Sequence, residues 1–149
     1  MDLRFVNKSI FNISCDCMVY FTTNDLLGRE SDALIKNAGE EILYSLSEIN
    51  GLSTGDSQII PGKDLLCDYV IVSCIPKEIN DENKRYLFEE ALYSIFDILE
   101  EYQLNRLAMD IEYIKRIYGN HYVEILNRII QENRFNYSNV ILYLCQNTD

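Results

Sequence analysis

Three segments of this chain are apolar almost from end to end: Cys15–Phe21 (CDCMVYF), Tyr69–Ile75 (YVIVSCI) and Val140–Cys145 (VILYLC). A strand with one face in water alternates apolar and polar residues. A strand apolar throughout is covered on both faces, which is the habit of parallel sheets. The stretches between these runs change period. From Ser31 to Ile49 the apolar residues Leu34, Ala38, Ile42, Leu46 and Ile49 fall at helical spacing. Ser31 or Asp32 can cap the start, and Asn50-Gly51 stops it. After Pro76, Asn80-Asp81-Glu82 offers an N-cap with acidic first-turn residues, and a long helix is expected to about Tyr102. Ile114, Tyr118, Ile125 and Ile129 predict helix from Glu112 to Asn133, with a break at Gly119-Asn120. Residues 2–6, Ser57–Ile60 and Leu104–Met109 read as further strands, the first at an edge. Strands and helices therefore alternate, which predicts an α/β protein with a mostly parallel sheet between helical layers.

At 149 residues the chain is expected to be one domain with a real core. No apolar run approaches the roughly 20 residues that a membrane span needs. The N-terminal MDLRFVNKS lacks a basic segment followed by an apolar one, so a cytoplasmic setting is expected. The net charge of −11 argues against nucleic acid and anionic membranes as partners. It leaves room for a small anion held by backbone N–H groups.

Five cysteines, an odd number, argue against a disulfide framework. Cys15 and Cys17 lie two apart in a strand and are expected on one face. A metal site would have to recruit that pair and His121, the only histidine. The plainer expectation is that the cysteines are small buried hydrophobes, with no metal and no cofactor. The 11 tyrosines, three of them (Tyr86, Tyr93, Tyr102) on one predicted helix, suit half-buried positions with the hydroxyl at the surface.

The junction from Cys15 to Gly39 carries the chemistry. It reads as strand, polar turn and helix, and open α/β sheets bind ligands in loops at the carboxyl ends of strands. The turn supplies Thr22, Thr23, Asn24, Asp25 and Gly28, with Arg29 able to reach a phosphate. A single glycine makes a poor phosphate cradle, and Glu30 and Asp32 repel an anion.

The order and wording of these elements, from Leu3 to Cys145, resemble a macro domain. The first motif of that family, D-A-I-V-N-A-A-N and then A-I-x-x-A-A-G on a helix, is similar to Asp16–Thr23 and to Ala33-Leu34-Ile35-Lys36-Asn37-Ala38-Gly39. Gly55-Asp56-Ser57 and Tyr69–Pro76 are similar to its G-D-A segment and to its V-I-H strand closed by Pro. Leu107–Ile111 and Ile117-Tyr118-Gly119-Asn120 are similar to the strand and the I-Y-G end of its second ligand loop.

The resemblance implies a three-layer α/β/α fold with a mixed, mostly parallel sheet. It also implies ADP-ribose or a related nucleotide as ligand. The ligand would meet Thr22, Thr23, Asn24, Gly28, Arg29, Ser31 and Asp32 on the first loop, and Tyr118, Gly119 and Asn120 on the second. The departures are specific. The motif asparagine falls on Thr23 unless a one-residue shift puts Asn24 there. The glycine run is reduced to Gly28. The adenine-holding acid falls near Ser9, and the hydrolase acid near Ser31 beside Asp32. Asp25, Asp32 and Asp110 are the loop carboxylates left for any hydrolase chemistry. The alternative function is a protein-interaction module that keeps the fold without the ligand.

Overall fold

The computed structural model describes residues 1–23, 31–49, 51–132 and 139–146. Six strands are described: β1 (Asp2–Val6), β2 (Cys15–Thr22), β3 (Ser57–Pro61), β4 (Cys67–Cys74), β5 (Arg106–Asp110) and β6 (Ile141–Cys145). They form one sheet in the order β1-β6-β5-β2-β4-β3. Only β3 and β4 pair antiparallel; β1–β6, β5–β6, β2–β5 and β2–β4 are parallel. The sheet is thus mixed and mostly parallel, as the continuous apolar runs predict.

The helices are α1 (Ser31–Ala38), α2 (Ile42–Ser47), α3 (Glu82–Glu101), α4 (Ile111–Tyr118) and α5 (His121–Gln131), with a 3₁₀ turn at Ile10–Asn12. Alternate residues of β2 sort them into two layers. Cys17, Val19 and Phe21 pack with the buried faces of α3, α4 and α5. Met18 and Tyr20 pack with Leu34, Ala38, Ile42 and Leu46 of α1 and α2. Each large apolar side chain fully buried this way contributes about 1.5–3 kcal/mol. Among the described residues no helix is long and apolar enough to cross a membrane.

The single helix expected over 31–49 is two. Gly39 has φ +90°, donates its N–H to the Ile35 carbonyl and ends α1; α2 restarts at Ile42. The four-residue apolar spacing runs through the break because the intervening turn returns Ile42 to the same face. The break expected at Gly119-Asn120 is present, with Gly119 at φ +67°. Asp81 caps α3, its side chain accepting from the Lys84 N–H at 2.8 Å.

Cys17, Cys67, Cys74 and Cys145 are buried, and none of the five cysteines is joined in a disulfide. Cys15 and Cys17, expected on one face, are divided between the two layers. Cys15 opens β2 ahead of the ladder with β5, which begins at Cys17, and lies in register with Cys67 of β4. Burial pushes the Cys17 thiol well above its ordinary range, as suits an inert packing residue.

Candidate functional site

The ladder between β2 and β5 is short. It pairs Cys17 with Leu107 and Met18 with Ala108 and then stops, whereas β2 stays paired with β4 as far as Thr22 and Cys74. The sheet therefore splits toward the carboxyl ends of β2 and β5, the place where open α/β sheets bind ligands. A cleft of about 470 Å³ occupies the split. Met18–Phe21 form its floor, Ile10 and Phe11 one wall, and Ala33 and Leu34 of α1 another. Asp110, Tyr113, Arg116 and Ile117 close it from the α4 side. The Tyr113 ring lies parallel to Phe21, with 6.3 Å between centroids, and the Arg116 guanidinium stands 5.7 Å over the Tyr113 ring.

Asp110 ends β5 and α4 begins at the next residue, so strand passes into helix without a loop. The Asp110 side chain accepts from the backbone N–H groups of Glu112 (3.0 Å) and Tyr113 (3.3 Å). Burial raises its pKa above the usual carboxylate value; those two N–H bonds and the Arg116 charge oppose the rise. A second basin of about 540 Å³ adjoins the cleft and shares Ile10, Phe11, Asp110 and Arg116 with it. Lys8, Ser9, Glu112, Lys115 and Cys145 complete its lining. The Cys145 thiol there is pushed up to about 11, chiefly by burial.

The site residues expected from sequence are spread over several places. Thr22 ends β2, fully buried; its carbonyl accepts from the Ile75 N–H, and among the described residues its hydroxyl has no hydrogen-bond partner. Thr23 is half-buried beside it. Asn24, Asp25, Gly28 and Arg29 lie outside the described residues. Ser31 is buried at the start of α1, and Asp32 beside it is exposed.

Tyr118 and Gly119 are not brought to the cleft. The Tyr118 hydroxyl donates to the Pro76 carbonyl, and its ring meets Phe88 edge-on at 4.9 Å. Gly119 ends α4, a helix of eight residues and so about 12 Å long, and Asn120 follows it. The turn of α4 that meets the cleft carries Tyr113, Arg116 and Ile117 instead. His121, exposed at the start of α5, borders a separate surface groove with Glu82, Arg85 and Tyr86 of α3. Among the described residues no three His, Cys, Asp or Glu side chains are grouped to hold a metal.

Sequence reasoning missed Phe11, Tyr113, Arg116 and Ile117. Part of the signal was present: an aspartate directly before I-E-Y-I-K-R-I is a helix start, and Tyr113, Arg116 and Ile117 sit at helical spacing from it.

The family model of the macro domain matches residues 23–110, more than half of the chain. The fold is similar to the macro domain of ganglioside induced differentiation associated protein 2, with a TM-score of 0.80 at 12% identity, over 97% of this chain and 77% of that one. It is similar to the Oceanobacillus iheyensis macrodomain solved with ADP (TM-score 0.78, 19% identity, 98% of this chain and 84% of that one). It is also similar to the Trypanosoma brucei macrodomain solved with ADP-ribose (TM-score 0.78, 15% identity, 96% of this chain). The chain spans 63% of that trypanosomal chain's length. No curated protein sequence matches this one.

Proposed function

The chain belongs to the macro-domain family, and we propose that it binds ADP-ribose or a related nucleotide in the cleft between β2 and β5. The observation that carries this reading is the early end of the β2–β5 ladder at Met18 and Ala108. Beyond that pair the β5-facing backbone edge of β2 is left to the cleft, among side chains that suit a base or a sugar ring. Relatives solved with ADP-ribose and with ADP add a family precedent. On this reading the 149 residues form one domain, with Thr22, Thr23, Asn24, Gly28, Arg29, Ser31 and Asp32 bordering the ligand.

The alternative, an interaction module whose cleft is lost, calls for side chains that fill the split. Tyr118 faces Pro76 and Phe88, and Glu112 lies in the adjoining basin. Among the described residues neither lines the cleft, and Arg29 lies outside them. Asp110 is the one described carboxylate that lines the cleft, and its Oδ1 already caps α4. That favours binding over hydrolysis. Titration calorimetry with ADP-ribose is the test. Measurable heat, together with chemical-shift changes at the ends of β2 and β5, is expected. No heat and no shift change at millimolar ligand overturns the reading.

A further inference from the structure

We infer that the preferred ligand carries a terminal phosphate: a nucleoside monophosphate, with its base and ribose in the β2–β5 split and its phosphate in the adjoining basin beside Lys8, Lys115 and Arg116. The inference rests on the nucleotide reading above and narrows it to a substrate class and an orientation.

The start of α4 would ordinarily attract a phosphate, because its first N–H groups point outward and the helix dipole is positive there. In this chain the position is taken from within. The Asp110 carboxylate accepts from both the Glu112 and the Tyr113 N–H. A phosphate brought to the same place would find those donors engaged and a like charge among them.

The cations stand beside it instead. Lys8, Lys115 and Arg116 line one basin in a chain of net charge −11. Against Asp110 and Glu112 they give the lining an excess of one positive charge, three cations less two carboxylates. Lys8 and Lys115 are exposed and form no ion pair among the described residues, so their charge is available to a ligand. Arg116 borders both spaces and marks where an uncharged body would pass into a charged end.

The split itself is largely apolar. Ile10, Phe11, Phe21, Leu34 and Ile117 line it, and a base with its ribose carries no charge to be buried there. The phosphates of ADP-ribose have sugars on both sides and must lie midway along a site. A terminal phosphate lies at one end, which is where this chain puts its cations. A phosphate monoester is also close to a dianion at neutral pH, with a second pKa of about 6. Two lysines and a guanidinium suit such a group.

The test is titration calorimetry of the full chain with adenosine, AMP and ADP-ribose, on the wild type and on the Lys8→Gln, Lys115→Gln double variant. Both lysines are exposed, so the variant is expected to fold. AMP should bind the wild type at least about tenfold more tightly than adenosine or ADP-ribose. The double variant should lose that preference and keep its adenosine affinity. Added salt should weaken AMP binding and leave adenosine binding unchanged. If ADP-ribose binds more tightly than AMP and the lysines make no difference, the inference fails while the nucleotide reading stands. If none of the three binds at millimolar concentration, both fail.

Discussion

Met18 and Ala108 are the last residues at which β2 and β5 pair. One more pair in register would join Val19 to Met109 and carry the sheet across the space that is now the cleft. The open split makes the site sensitive to a bulky side chain introduced at its rim. Ala33 of α1 is exposed and lines the cleft. Ala33→Trp should place an indole in the split and reduce nucleotide affinity at least about tenfold. Because position 33 faces solvent, the thermal midpoint should hold, with a stability change within about 0.5 kcal/mol. Calorimetry and a melting curve on the same preparation check both halves. Unchanged affinity would remove the cleft from the binding reading.

Tyr118 should matter for stability and not for ligand. Its hydroxyl donates to the Pro76 carbonyl inside the core formed with Phe88. Tyr118→Phe removes the donor and leaves that carbonyl unpaired, which should cost about 1–3 kcal/mol. Nucleotide affinity should change by less than about twofold. Urea denaturation and a ligand titration separate the two effects. A large affinity loss with normal stability would return Tyr118 to the site, where the I-Y-G likeness first put it.

That likeness shows where sequence reading reached its limit. The apolar runs of β2, β4 and β6 were legible because a strand covered on both faces has no polar alternation to hide it. The cap at Asp81 and the break at Gly119 were legible because each is a local matter of side-chain reach or backbone conformation. The join at Asp110 is legible to within one residue: the apolar spacing predicts a helix from Glu112, and α4 starts at Ile111. Similarity to a family loop points to Tyr118, Gly119 and Asn120 as ligand contacts, whereas the turn of α4 at the cleft carries Tyr113, Arg116 and Ile117. Phe11 and Ile10 reach the cleft only because β1 lies at the far end of the sheet, paired with β6, and the chain must cross back to β2. No local pattern reports a placement of that kind.

The turn between β3 and β4 depends on the absence of one side chain. A Cβ on Gly62 would stand 2.2 Å from the Cys67 carbonyl oxygen, and the Gly62 N–H donates to the Asp68 carbonyl at 2.8 Å. The obstacle is backbone of the paired strand and cannot rotate away. Gly62→Ala should therefore destabilise the protein by about 1–3 kcal/mol, the usual cost of overpacking. The denaturation midpoint in urea reads the loss directly. Gly51, where an added Cβ meets nothing within 4 Å, is the steric control, although its φ of +66° adds backbone strain of its own.

Asp110 should give stability an acid-side pH dependence of unusual sign. Its folded pKa is raised above the ordinary 3.8, first by burial, so the folded state holds the proton more tightly than the unfolded one. Between those two values the folded state binds more protons, and its stability falls as pH rises through the window. A carboxylate stabilised by an ion pair, with a lowered folded pKa, would do the opposite. Asp110→Asn keeps an acceptor for the Glu112 and Tyr113 N–H groups and removes the titration. The variant should therefore lose this component of the slope, and it should be at least as stable as the wild type once the wild-type carboxyl is ionised. Urea midpoints for both proteins, taken in steps upward from about pH 4, give the comparison. If the wild type instead loses stability relative to the variant as pH is lowered through that window, then the carboxylate at the start of α4 is held by its hydrogen bonds more strongly than burial opposes it.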